Sequence, residues 1–387
     1  MDGIYHYKAA PETYFKIIGK EIITLLIYVD NALFMGSNKT QVPSHKAQFM
    51  KQWESRDLCQ AKEYLGMRIT WDCKKRTISL DQTHYVEKVV KWFGQENSKL
   101  VSVPLPTGYN LRPHSDQNLS NATLQSHYQS VIRSLLYIML GTRPDISYAV
   151  IKMPQFSSNP TEEHLQKALY IVHYLSSSKD LCIVYFGTGD SNGLCAYSDI
   201  DWAGDVETSW STTGYAIFLG NGIVSWLSRQ QQRVTLSSTE AEYCGITETA
   251  KQLHWIHNLY EELGFRLGLL PLCINNQGPI FLASNPAQEG HTKHIRMTEY
   301  FIQESVDLLC SNQSAICWYL YKELGQAKIQ RWKKGTLTST LQTIRTFIVR
   351  SVENPGISHS DILILIPDSR RVFDLIFMLF ILLTLSR

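Results

Sequence analysis

The chain has 387 residues, 44% of them apolar, which suits two domains with sizeable cores and excludes a wholly disordered protein. A formal net charge of +2 excludes a global basic field, so any binding of nucleic acid has to come from local patches. Eight scattered cysteines without a CxxC pair argue against a structural zinc centre and read as reduced, buried thiols of an intracellular protein, cytoplasmic or nuclear.

Met1 to Lys20 is polar and aromatic, without the continuous apolar core of a signal peptide. Glu21 to Tyr28 (EIITLLIY) and Ala32 to Met35 (ALFM) are β-rich apolar runs interrupted at Val29-Asp30-Asn31, which predicts a hairpin with an acid at its tip. Ser44 to Trp53 reads as an amphipathic helix with Ala47, Phe49, Met50 and Trp53 on its apolar side. Lys62 to Trp71 and Thr77 to Leu80 read as a strand pair, and Asp81 to Tyr85 opens a helix continuing through Val86, Val89, Val90 and Phe93. Val101 to His114 is a proline-rich linker.

Two helices follow, Tyr128 to Leu140 and Asp145 to Met153, split by Gly141-Thr142-Arg143-Pro144, and a third runs from Thr161 to Leu175. Arg143 and Lys167 are candidates for contact with a nucleic-acid backbone, with solvated helix-surface charge as the alternative. Leu181 to Phe186 is a strand. Leu194 to Ser198 is another, ending on Asp199, with Asp201 and Asp205 around a Trp-Ala-Gly turn. Gly214 to Leu219 and Ile223 to Leu227 form a hairpin about Gly220-Asn221-Gly222. The period then changes, and Ser237-Ser238-Thr239-Glu240 starts a helix that brings Glu240 towards Asp199.

The segments SDIDWAGD (198–205), TTGYAIFLG (212–220), SWLSRQQQ (225–232) and LSSTEAEY (236–243), in this order, resemble the ribonuclease H domain that ends copia-type retrotransposon Pol polyproteins. Upstream, Tyr28-Val29-Asp30-Asn31 is similar to the palm motif of reverse transcriptases. Asn31 stands where the family has a second aspartate, which removes one charge from a two-metal clamp. On the plainer alternative, Asp30 is only a hairpin-turn residue. The family's first palm aspartate is expected upstream of Met1, so polymerase activity is not expected. Tyr128, Ser130, Ser134, Leu135, Tyr137 and Thr142 to Ile146 fit the family's connection region.

The resemblance implies a mixed α/β fold: a truncated palm and thumb over 1–100, a linker and helical connection over 101–186, and a ribonuclease H-like five-stranded sheet with flanking helices over 187–330. Residues 331–387 form a divergent tail, in which Val372 to Leu385 is apolar but short of the ~20 residues a spanning helix needs. It further implies an RNA–DNA hybrid as partner and two Mg²⁺ ions, or Mn²⁺, held by four acids. The first two are Asp199 and Glu240. The third position holds Asn275, after Leu272-Cys273-Ile274, and the fourth, through a short match after Ala315 to Tyr321, holds Lys328. Two acids where four belong predict a degenerate site that binds Mg²⁺ poorly and cleaves weakly or not at all. His291-Thr292-Lys293-His294-Ile295 resembles a family helix start, with Lys293 and His294 either touching substrate or capping a helix. The competing readings are a non-catalytic module binding nucleic acid or protein, and an untranslated or promptly degraded pseudogene product.

Overall fold

A computed structural model describes residues 5–6, 13–18, 21–28, 31–36, 41–106, 121–186, 194–203, 209–219, 222–231, 234–235, 237–262 and 272–274. They form a mixed α/β structure with three four-stranded sheets. The first is an antiparallel meander of β1 (Tyr5–His6), β2 (Thr13–Ile18), β3 (Glu21–Tyr28) and β4 (Asn31–Gly36). Leu33 and Met35 alternate inwards on β4, as a half-buried strand requires. Helix α1 (Gln41–Gln52) packs beside β4 through an edge-on contact of Phe34 and Phe49, ring centres 5.3 Å apart. Ala47 and Trp53, expected on its apolar side, are instead exposed, Trp53 lying just past the helix end.

The second sheet runs β5 (Glu63–Tyr64), β6 (Met67–Asp72), β7 (Thr77–Asp81) and β8 (Ile183–Phe186), all antiparallel. The single strand expected over Lys62 to Trp71 is therefore two, folded at Leu65-Gly66, where both residues have positive φ (51° and 70°). Left-handed backbone at both centres of a two-residue loop gives the turn whose twist suits a hairpin. The Tyr137 hydroxyl donates to the Leu65 carbonyl at 2.8 Å, and a Cβ on Gly66 would lie 2.1 Å from that hydroxyl.

The helices α2 (Thr83–Trp92), α3 (Ala122–Gly141), α4 (Ser147–Ile151) and α5 (Glu162–Ser177) share one apolar core that includes Val89, Ile132, Leu135, Val150 and Val172. Asn121 caps α3 by accepting from the backbone N–H groups of Thr123 and Leu124 (3.0 and 3.2 Å), and Thr161 caps α5 in a capping box with His164. The boundary expected at residue 100/101 is crossed twice: α2 belongs to the core of α3 to α5, and β7 pairs with β8 from the far side of the helices.

The third sheet has the order β11-β10-β9-β12, from β9 (Leu194–Asp201), β10 (Thr212–Leu219), β11 (Gly222–Gln230) and β12 (Leu272–Ile274). The first three are antiparallel, and β12 joins β9 in parallel after helix α6 (Ser238–Glu262) has packed on β9 and β10. Four strands, not the five expected, are seen among the described residues. The sheets share a core in which Met67, Ile78, Tyr185, Ile217 and Leu253 are buried together. The Tyr185 hydroxyl donates to the Ile223 carbonyl at 2.7 Å, fastening β8 to β11. Among the described residues no helix is long and apolar enough to cross a membrane; Val372 to Leu385 lies outside them.

Replacing Gly66 by Ala is expected to cost about 2 kcal/mol or more, because φ is positive and the new methyl meets the Tyr137 hydroxyl. Urea unfolding of Gly66→Ala checks this, and Tyr137→Phe in the same background should recover none of the φ penalty.

Candidate carboxylate site

Asp199 lies near the end of β9, paired across the ladder with Gly214 of β10, and Asp201 follows on the same face of the strand. Both are buried. Ser198 and Ile200 point the other way, against α6. There Gly245 lets the helix approach closely: a Cβ at 245 would lie 2.4 Å from Ile200 Cδ1 and 3.3 Å from Ser198 Oγ.

The start of α6 is fixed from two sides. Ser237 accepts the Glu240 N–H at 3.1 Å as the expected cap. Gln231, a buried amide that the sequence pattern does not single out, donates to Thr213 Oγ1 at 3.0 Å and to the Ala241 carbonyl at 3.1 Å, clamping the helix start to β10. That clamp decides which carboxylates of STEAEY face the sheet.

Glu240 and Glu242 are both buried. Glu242 stands one helical turn before Gly245. Burial, followed by the Asp199 charge, pushes the Glu242 carboxyl up to about 7. Its Oε2 is buried and has no hydrogen-bond partner, as does Ser198 Oγ. Glu240 is the acid expected from the motif, and Glu242 is a second buried glutamate of the same helix that the sequence pattern does not single out. The signal that finds it is electrostatic and does not exist before folding.

A buried carboxylate oxygen without a donor suits a hard divalent cation, which binds oxygen. Among the described residues no group of three or more His, Cys, Asp or Glu could hold a metal ion. Asp205, Asn275, Lys293, His294, Lys328, the Ala315 to Tyr321 strand and the tail lie outside the described residues. So does Asp30; Asn31 is exposed at the start of β4, opposite Tyr28.

Arg143 is not a backbone-phosphate contact. It is 2% exposed and forms a bidentate pair with Asp145 (2.8 and 2.6 Å), with further bonds to the Ser178 carbonyl (2.9 Å) and hydroxyl (2.6 Å). Tyr174 donates to the same Asp145 at 2.8 Å. Burial works against the Arg143 charge, and Asp145 more than offsets it, so the guanidinium pKa ends above its ordinary value. Its role is to lock the α3–α4 turn onto the end of α5. Lys167 pairs with Glu163 one turn earlier on α5.

Residues 5–107 match the family described as reverse transcriptase (RNA-dependent DNA polymerase). The chain is 35% identical over 77% of its length to the retrovirus-related Pol polyprotein from transposon TNT 1-94 of Nicotiana tabacum, and 35% identical over 74% to that from transposon RE1 of Arabidopsis thaliana. It spans 22% and 19% of those two relatives. It is also 33% identical, over 60% of its length, to an uncharacterized mitochondrial protein of Arabidopsis thaliana, of which it covers 93%. No solved structure matches the chain.

Two outcomes follow from the buried charges. For Glu242, the folded form holds the proton more tightly than the unfolded chain does. Its contribution to stability is therefore complete below pH 4.5 and is lost as pH rises to about 7. Glu242→Gln should remove that slope, leaving the variant more stable than wild type at pH 8 by up to about 3 kcal/mol, read from urea midpoints across the pH range. Arg143→Ala strands the Asp145 carboxylate and is expected to cost about 3–5 kcal/mol, visible as a large fall in Tm.

Proposed function

Because the chain belongs to the copia-type family of retrotransposon Pol polyproteins, and carries part of its reverse transcriptase, we propose that residues 194–274 are a ribonuclease H-like module that holds an RNA–DNA hybrid at Asp199 and Glu242. The observation that carries this reading is the arrangement of the third sheet. Three antiparallel strands and a fourth parallel one are joined by α6, which delivers Glu242 to the end of the strand bearing Asp199. That placement brings acids together from a strand and a helix, as metal-dependent phosphodiester hydrolysis needs.

In this reading Asp199 and Glu242 would hold Mg²⁺ or Mn²⁺. A divalent cation there supplies neutralisation of the phosphate charge and a water of lowered pKa. The chain's own work is positional: Gly245 sets the helix-to-strand distance, Gln231 fixes the helix start, and the Asp199 charge keeps the Glu242 carboxyl ready to trade its proton for a cation.

Asn275 and Lys328 stand where the family's third and fourth acids belong, which supports weak cleavage or none. The same two residues favour the second reading, a module that binds hybrid without cutting it. Asn31 in place of a palm aspartate argues against polymerase chemistry.

Incubating the full chain with end-labelled hybrid and Mg²⁺ or Mn²⁺ decides between them. The expected result is salt-sensitive binding with little or no cleavage, and a gain in cleavage on Asn275→Asp. Robust turnover by the wild type that Asp199→Asn abolishes would overturn the degenerate reading. Loss of cation binding in Glu242→Gln but not in Glu240→Gln assigns the helical ligand; the opposite pattern returns that role to Glu240.

A further inference from the structure

Helix α1 lies on the first sheet as a wedge. On one face of that sheet the register aligns Tyr14, Leu25 and Phe34 across β2, β3 and β4, and aligns Lys16, Ile23 and Gly36 two residues along. The helix is pinned at the β4 side of this face. A Cβ on Gly36 would lie 2.7 Å from Val42 Cγ2, and Phe49 meets Phe34 edge-on. None of the helix's own residues is buried. Between it and the β2–β3 half of the face a cleft of about 260 Å³ stays open.

The two walls of the cleft differ in chemistry. Its floor is apolar and aromatic, made by Tyr14, Ile23, Leu25 and Phe34. The facing helix contributes His45, Gln48, Phe49 and Gln52, spaced as one helical face, and Lys16 borders the opening from β2. The polar heads here are uncommitted: among the described residues, no side-chain hydrogen bond or ion pair engages Lys16, His45, Gln48 or Gln52. No carboxylate lines the cleft among the described residues. An apolar floor with a few convergent polar groups is the make-up of a small-molecule site. The volume falls just below the ~300 Å³ at which drug-sized ligands begin, which limits the occupant to one or two rings. Charge limits it further, because an ammonium without a carboxylate counterpart favours an anion. We propose that the cleft binds a small aromatic anion, its ring on the Leu25–Phe34 floor and its carboxylate or sulfonate at Lys16. The amide N–H groups of Gln48 and Gln52 are further donors for the same group. This site is separate from Asp199 and Glu242 and holds whether or not they bind a hybrid.

The test uses the full-length chain and two probes of one shape, 6-fluoro-2-naphthoate and its uncharged counterpart 6-fluoro-2-naphthamide, titrated by fluorine NMR. The naphthoate is expected to bind wild type with a Kd of about 1 mM or tighter. The naphthamide should bind about fivefold more weakly, the difference being the ion pair with Lys16. Lys16→Met should erase that preference, bringing the naphthoate down to the naphthamide. The naphthamide should bind this variant as it binds wild type, which shows its cleft to be intact. Gln48→Trp, a change at an exposed position, should plug the cleft and abolish binding of both probes. No binding of the naphthoate by wild type, or equal binding of the two probes, would overturn the proposal. So would a charge preference that survives Lys16→Met, or naphthoate binding that Gln48→Trp leaves unchanged.

Discussion

The close approach of α6 to β9 at Gly245 is the contact on which the candidate site depends. With no side chain at that position, the helix lies against Ile200 and Ser198. One turn earlier, Glu242 comes within electrostatic reach of Asp199. Any larger residue would have to displace the helix or Ile200. The burial of Leu253, Ile256 and Leu259 farther along holds the helix in place.

Much of this arrangement is legible in the chain itself. The β-rich apolar run EIITLLIY, the GNG turn after Leu219, and the change of period at Ser237 mark strands, hairpin and helix with bounds close to those observed. What is not legible comes from distance along the chain. LSSTEAEY offers two glutamates, and helical spacing alone cannot choose between them. The Gln231 bond to Ala241 and the Gly245 contact, which fix how the helix lies on the sheet, both involve residues that look unremarkable in sequence. Arg143 misled in the same way. Beside a proline in a loop it reads as a surface cation, yet Asp145, Tyr174 and Ser178 close around it only once α5 has folded back. The Leu65-Gly66 turn hid because leucine rarely adopts positive φ, and the Tyr137 hydroxyl that anchors it lies far off in sequence.

The two halves of the described structure meet physically as well as by descent. The shared core draws side chains from all three sheets, and Tyr185 reaches from the second sheet to the backbone of the third. Trp226 of β11 makes a comparable link to the helices, its indole N–H donating to the Met139 carbonyl at 3.1 Å. Separate units joined by a passive tether would not share hydrogen bonds of this kind.

The pairing of β7 with β8 has a consequence for how the chain is made. As the polypeptide emerges during synthesis, β5, β6 and β7 can assemble as soon as residue 81 is free, but the strand that covers the outer rim of β7 begins only at residue 183. Throughout that interval a row of unsatisfied backbone amides and carbonyls stands open to any other extended chain. Interruption of translation anywhere among the helices would leave a product with a sticky margin, prone to joining its own kind. Loss of downstream sequence therefore endangers the solubility of the upstream half, even where the lost residues carry none of the chemistry.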